Sequence, residues 1–241
     1  MENLSSNKLI DAKDDRDSVI QRFFSETGRT YDRIVRLTTF GSDAAWKKEI
    51  LSRLPKRAER ILDLACGTGI LTFQLARLYP NAHITGVDIT EGYIDVARQD
   101  IEKLRVENVS LILSRAEDVK FNTSFDCIVS SYLARYADLE VLTHNCAEML
   151  RSDGILLMHD FVFPTNRIVR LVWKQYFKLL SSFARWRYPE WEPAFSGLAN
   201  HIRSTTWVHD LTTAMNDAHF SDIRVEILGR GISAIVTARK V

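Results

Sequence analysis

Apolar residues fall along the chain in two alternating rhythms: short unbroken runs and stripes of helical period. Residues 61–65 open the first run, with four of five positions apolar, as in a strand buried on both faces of a parallel sheet. Leu71, Leu75 and Leu78 then share one helical face, and Tyr79-Pro80 closes it. Runs at 84–87, 109–113, 125–130 and 155–158 read as four further strands. Two helical stripes lie among them: Ile94, Ala97, Ile101 and Leu104 behind a Thr90 cap, and Leu139, Leu142, Cys146 and Met149.

The flanks break this rhythm. Residues 1–16 are polar and charged, and Val19, Ile20, Phe23 and Phe24 mark a short helix. Ser42 or Asp43 then caps a helix bearing Ala45, Trp46, Ile50 and Leu54, which Pro55 ends. No Gly/Ser/Pro-rich linker follows, so residues 1–57 are expected to cover a core of residues 58–163 within one domain of residues 1–241. Past the fifth run, residues 164–203 form an insertion rich in aromatics and arginine, expected to be a helical lid. A helix over 207–218 with Val208, Leu211 and Met215 inward, then strands at 223–228 and 232–238, complete residues 204–241. Strands alternating with helices predict an α/β fold with a mostly parallel sheet.

Composition narrows the classes. Lys+Arg 32 against Asp+Glu 31 leaves no global field for nucleic acid. Three cysteines, Cys66, Cys127 and Cys146, have neither metal-type spacing nor the even count of a disulfide framework. No metal site is expected. The N-terminal stretch lacks an apolar h-region, and no window approaches the ~18 apolar residues of a membrane span. The expected compartment is cytoplasmic.

Residues 61–69 read Ile-Leu-Asp-Leu-Ala-Cys-Gly-Thr-Gly, and Asp88 follows at the end of the second run. Strand, glycine turn, helix, strand and acid make a nucleotide site whose acid takes two ribose hydroxyls. The G-x-G-x-x-G spacing of pyrophosphate sites is absent, and Asp63 adds a carboxylate that suits a cation better than a phosphate. S-adenosylmethionine, with a ribose, a sulfonium and no phosphate, fits; an ordinary βαβ unit with a glycine turn is the bland alternative. The nine residues resemble motif I of the class I S-adenosylmethionine-dependent methyltransferases, and Gly86-Val87-Asp88 resembles their ribose-binding strand. The resemblance implies a Rossmann-like seven-stranded sheet, helices on both faces, in the order 3-2-1-4-5-7-6. It implies cofactor contacts at Tyr31, Asp63, Ala65, Gly67, Gly69, Asp88, Ile89, Ala116, Glu117 and Ser130, the 114–118 segment meeting the adenine.

Absent motifs count against several chemistries. Residues 130–133 are Ser-Ser-Tyr-Leu, not the Asn/Asp-Pro-Pro-aromatic motif for planar nitrogen, and no Pro-Cys serves cytosine C5. Asp160 is followed by Phe161, not by a second carboxylate for a metal. Three segments resemble the quinone-ring C-methyltransferases of ubiquinone and menaquinone biosynthesis (the UbiE/MenG type): Tyr31-Asp32 through Phe40-Gly41 to Trp46-Lys47; residues 147–154 running to Asp160-Phe161; and residues 197–203 with the helix ending Asp217-Ala218-His219-Phe220. The chain departs from that family at Ile34-Val35 in place of Met-Asn, at the His expected before Trp46, where Asp43 and Ala44 stand, at residues 151–154, and at Asp160 in place of Glu. The implied acceptor is a quinol, another phenol or a carbon acid.

Methyl transfer requires the nucleophile roughly 3–3.5 Å from the methyl and in line with the bond that breaks. The site of a doubly wound sheet lies beyond its C-terminal strand ends. Candidate catalytic residues are therefore Tyr132 and Arg135 after the fourth strand and His159 and Asp160 after the fifth; Tyr31 and Arg203 are candidates for the substrate. His159 and Asp160 equally read as a buried polar pair satisfied by backbone. From Arg167 to Arg187 six cations and no acid stand among aromatic and aliphatic residues. This is the pattern of a membrane-surface helix over residues 166–188, or of a lid with a solvated basic face. O- or N-methylation of a soluble metabolite, and a non-methylating cofactor-binding protein (a cyclase or regulatory subunit), are the competing functions. Oligomeric state is not legible.

Overall fold

Parallel strands need helical crossovers, and the predicted alternation supplies them. A computed structural model describes residues 27–241, so the expected helix around Val19–Phe24 lies outside the described residues. Seven strands form one sheet: β1 (Arg60–Leu64), β2 (His83–Asp88), β3 (Val109–Leu113), β4 (Phe125–Ser131), β5 (Leu150–Phe161), β6 (Phe220–Leu228) and β7 (Ser233–Lys240). Their order is β3-β2-β1-β4-β5-β7-β6. All pairs among the first five are parallel; β7 runs antiparallel to β5 and β6.

Strand periodicity divides the core between the two faces. Ile61, Val129, Leu157 and Ile235 face one side, with α2 (Ser42–Ser52) and α3 (Ile70–Leu78) packed on it through Ile50, Leu71 and Leu75. Their neighbours Leu62, Ile128, Leu156 and Val236 face the other, against Leu142 and Cys146 of α5 (Leu139–Met149) and Leu211 and Met215 of α8 (Trp207–Asp217). The helix α4 (Glu91–Leu104) makes the β2–β3 crossover. A third cluster joins α1 (Tyr31–Thr38) to the lid helices α6 (Arg167–Arg187) and α7 (Glu192–Ser204) through Ile34, Trp173, Phe177, Trp191 and Phe195. Chain order reverses at β1, which lies between β2 and β4, and leaves a crevice beyond the C-terminal ends of β1 and β4.

Several local expectations need correction. The strand expected at 155–158 runs over Leu150–Phe161: β7 pairs with it from Ile155 to Phe161, and Leu150 pairs with Phe125 of β4, while its polar residues 151–153 gave no apolar signal. Gly41, at φ +78°, rather than Ser42 or Asp43, occupies the N-cap of α2. Asp43 turns inward and is 6% exposed, while Ala45 is exposed. Thr90 sits at the N-cap of α4, but its side chain makes no capping bond. Leu78 and Leu104, at the tails of the predicted stripes, are half exposed.

Gly69 caps α3 at φ +90°, and a Cβ there would lie 2.6 Å from the Phe73 ring. Gly69→Ala combines backbone strain with a steric clash, so a loss of about 1–3 kcal/mol is expected in urea unfolding.

Candidate active site

After Leu64 the chain turns through Ala65 and Gly67, both at φ +57°, and Gly69. The Cys66 amide still donates to the Val87 carbonyl (2.9 Å), so the loop stays registered on β2. Asp88 ends β2 and locks the turn: Oδ2 accepts from Gly67 N (2.8 Å) and Oδ1 from Thr90 N (2.8 Å). A carboxylate offers about four acceptor positions, so lone pairs remain for a ligand. Burial pushes the Asp88 carboxyl above its ordinary range, against those two amides. Asp63, 1% exposed, accepts from Thr72 Oγ1 (2.7 Å). Burial raises its pKa to about 7, with Thr72 and the Lys47 charge opposing and Asp88 adding to the rise.

The helical cover is tied to this loop by chemistry as well as by packing. Thr68 donates to Asp32 (2.5 Å), and Tyr31 packs its ring on Tyr93 at 5.0 Å and on Trp191 at 5.9 Å. Desolvation and the Asp43 and Asp88 charges push the Tyr31 phenol well above its usual range. From α2, Lys47 Nζ donates to Asp43 Oδ1 (2.8 Å) and to Ser131 Oγ (2.9 Å). Tyr132 donates to the same Asp43 oxygen (2.6 Å). Arg135 Nε meets Asp160 Oδ1 at 2.6 Å, with both side chains almost wholly buried. Burial alone would lower the Arg135 pKa, but Asp160 overrides it and holds the guanidinium charged.

One cavity of about 1160 Å³, open solvent at its mouth included, runs across these groups. Gly67, Asp88, Thr90, Ser114 and Arg115 contribute polar groups to its lining, and Leu133, Tyr136, Phe161, Phe195 and Leu198 apolar and aromatic ones, with Tyr31 and Tyr132 also in its wall. A smaller cavity adjoins it, bounded by Asp43, Lys47, Asp63 and Thr68 and sharing Tyr31, Ala65, Gly67 and Tyr132 with the first.

Of the residues singled out in the sequence, Tyr31, Ala65, Gly67, Asp88, Ile89, Ala116, Glu117, Tyr132 and Arg135 line the large cavity, and Asp63 lines the small one. The Glu117 carboxylate itself is held by the amide of Asp138 (3.0 Å) and lies 3.4 Å from Arg115. The others stand elsewhere. Ser130 donates to the Leu64 carbonyl (2.7 Å) and staples β4 to β1, because alternation turns Ser131, not Ser130, toward the cavity. Gly69 heads α3 and lines neither cavity, and Arg203 is exposed on α7. His159 and Asp160 are each 0% exposed and line neither cavity, since the β7 pairing carries β5 past them. His159 Nδ1 meets Ser131 Oγ (3.0 Å), and burial, aided by Lys47 and Arg135, holds the ring neutral. The Asp160 carboxylate is occupied by Arg135 and by the amides of Arg135 and Phe161. Sequence reasoning missed Tyr93 and Thr90 in the cavity wall and Asp43 and Lys47 beside it. The signal for the last two was an Asp and a Lys four apart beside Trp46, on the same helical face as a core residue.

The sheet order, the glycine turn and the acid ending β2, with two carboxylates and no phosphate-type spacing, define the class I S-adenosylmethionine-dependent methyltransferase fold. A methyltransferase-domain family profile matches residues 55–206, which is more than half of the chain. The demethylmenaquinone methyltransferase of Thermus thermophilus is 30% identical over 215 residues, covering 88% of this chain and 97% of that protein. A methyltransferase of Aquifex aeolicus superposes with a TM-score of 0.62 at 15% identity, over 91% of this chain and 100% of that one. The Streptomyces coelicolor geranyl diphosphate C-methyltransferase, crystallised with S-adenosyl-L-homocysteine, gives 0.61 at 14% identity over 83% and 79%. The chain therefore belongs to the methyltransferase-domain family, as an S-adenosylmethionine-dependent enzyme of the MenG/UbiE-like type.

Asp63 carries a testable signature. Its folded pKa lies above the unfolded value, so the fold favours the protonated form. Its stabilising contribution is full below about pH 4 and is lost as pH rises to about 7, by at most about 4 kcal/mol. In the cofactor-free protein, Asp63→Asn should flatten the fall in thermal midpoint across that window; an unchanged slope would place the titration elsewhere.

Proposed function

We propose that the chain transfers the methyl group of S-adenosylmethionine to a ring carbon of a quinol or related aromatic that carries an apolar, prenyl-type tail. The observation that carries this reading is a single large cavity whose lining joins the Asp88 carboxylate and the glycine turn to a wall of aromatic and aliphatic side chains. The name of the Thermus thermophilus relative agrees with such an acceptor. When bound, S-adenosylmethionine supplies a methyl group on a sulfonium. In this reading Asp88 holds the two ribose hydroxyls, Ile89, Ala116 and Glu117 frame the adenine, and Ala65 and Gly67 admit the cofactor close to the backbone. Asp63 faces its ammonium. Tyr31 and Tyr132 close the wall between cofactor and acceptor, and Arg135, held by Asp160, offers positive charge to an oxygen anion on the ring. Ser130, Gly69 and His159 act by fixing strands and helix around the site, and Arg203 is left without a role.

The lid supports a membrane-surface setting. Among the described residues no helix is long and apolar enough to cross a membrane. Yet the outer face of α6 presents Ile168, Leu171, Val172, Leu179 and Trp186, each 60% or more exposed. Arg167, Lys174, Lys178 and Arg185 flank that stripe on one helical edge. Tyr176 lies on its other edge and packs against Phe40, which is 83% exposed beyond the cavity-lining Thr38 and Thr39. A basic, apolar helix beside the cavity suits an acceptor drawn from an anionic bilayer. The described cysteines are free, in keeping with a cytoplasmic protein at that surface.

Methyl-labelled S-adenosylmethionine incubated with a reduced demethylmenaquinone should yield labelled quinone by mass spectrometry; an unlabelled quinone would overturn the acceptor. Asp88→Ala removes two charge-assisted contacts and should weaken cofactor binding roughly a hundredfold in calorimetry. The protein should float with vesicles containing phosphatidylglycerol at low salt, and Lys174→Glu with Lys178→Glu should abolish it. Flotation unaffected by that pair would sink the membrane assignment.

A further inference from the structure

Among the described residues of the cavity wall, Tyr132 is the one that combines a strained backbone with a charged partner in the interior. It adopts φ +73°, a region that costs a non-glycine residue roughly 1–2 kcal/mol. Its amide donates to the His159 carbonyl (2.8 Å), and its ring stacks on Phe161 at 5.0 Å, so packing holds the strain. The result directs the phenol at Asp43, whose Oδ1 accepts the Tyr132 proton at 2.6 Å and the Lys47 ammonium at 2.8 Å. Lys47 also sits 4.4 Å from the centre of the Tyr132 ring. Asp43 and Lys47 are 6% and 4% exposed. A buried ion pair beside a reaction cavity, aimed through a tyrosine at that cavity, is an arrangement packing alone does not call for.

We propose that Asp43 is the terminal proton acceptor for the methylation reaction, acting through Tyr132, and that Lys47 is the positioning residue that holds the Asp43 carboxylate against the Tyr132 hydroxyl. The proposal rests on the quinol reading to the extent that the acceptor bears an ionisable ring hydroxyl. The hydroxyl proton passes to Tyr132 Oη as the Tyr132 proton passes to Asp43 Oδ1. The ring oxygen keeps the electron pair, which raises the nucleophilicity of the adjacent carbon; that carbon bonds the methyl as the methyl–sulfur bond breaks, and its own proton then moves to the ring oxygen as aromaticity returns, so the proton on Asp43 is the one released. Tyr132 ends neutral, Asp43 ends as the acid, and water takes the proton back after product leaves. Neither Asp160 nor His159 serves: the first is fully paired with Arg135 and backbone amides, and the second is buried and held neutral.

Charged and titratable groups face Asp43 from each element packed against it. Lys47 faces it from its own helix, Tyr31 and Asp32 from α1, and Tyr132 from the loop after β4. Behind Lys47 stand Asp63 on β1 and, beyond Ser131, His159 on β5.

Asp43→Asn keeps the shape and an oxygen acceptor for Tyr132. Its kcat with the labelled-methyl assay should fall roughly 10²–10⁴-fold, the range of general-base contributions, with cofactor affinity by calorimetry unchanged. The acid limb of the pH–rate profile should move up toward the hydroxyl's own pKa. Tyr132→Phe should cost a similar factor, and Asp43→Asn with Tyr132→Phe no more than either alone. If Asp43→Asn strands Lys47 and fails to fold, Asp43→Asn with Lys47→Met removes both charges and serves in its place. Retention of the wild-type kcat and pH profile overturns the proposal, and so does a loss matched by weakened cofactor binding. A readout free of turnover uses a hydroxynaphthoquinone, coloured on ionisation, bound with S-adenosylhomocysteine. At a fixed pH the wild type should hold more of it ionised than Asp43→Asn; equal fractions overturn the relay. A wild type that ionises this probe but leaves a demethylquinol unlabelled refutes the acceptor and keeps the relay.

Discussion

The two hydrogen bonds from Gly67 and Thr90 to the Asp88 carboxylate are the constraint on which the rest of the site depends. They tie the turn after β1 to the end of β2, across the strand pair where chain order reverses. The backbone there adopts positive φ at Ala65, Gly67 and Gly69, and Asp88 is what holds it. The loop must stay open to a ligand, so packing cannot replace those bonds. Burial raises the Asp88 pKa, and the same amide donors oppose that rise.

Around that anchor the chain builds the other walls from distant segments. The cover contributes Tyr31, Asp32, Asp43 and Lys47; the loop after β4 contributes Tyr132 and Arg135; the lid contributes Trp191 and Phe195. Each wall is joined to the next by a polar contact in an otherwise apolar setting: Asp32 to Thr68, Asp43 to Tyr132, Asp160 to Arg135, and Trp191 to Thr30. Such contacts set where the walls stand, because a buried polar group left without its partner costs about 1–3 kcal/mol. Apolar packing alone would allow the cover and lid to slide.

The opposed fates of Asp160 and Asp43 show how burial and partners divide roles among carboxylates. Asp160 is satisfied on both oxygens and serves to hold Arg135. Asp43 shares one oxygen between an ammonium and a phenol, so a proton can move toward it without breaking a strand. Asp63 has one hydroxyl partner and little solvent, which leaves its charge dependent on a bound cation. Local sequence context separates none of these three.

The sequence by itself determined the α/β class, the central strands, the glycine turn and Asp88, because periodicity and turn chemistry act within a few residues. Ile61 to Gly69 was legible for that reason, and the cofactor with it. The ends of β5, the inward turn of Asp43 and the removal of His159 from the cavity were not legible. Each is decided by a partner far along the chain: β4 and β7 for the two ends of β5, Tyr132 for Asp43, and Ser131 with Trp46 for His159. Only the tertiary structure brings such partners together, and burial then fixes which side chain faces the ligand and which is sealed inside the sheet.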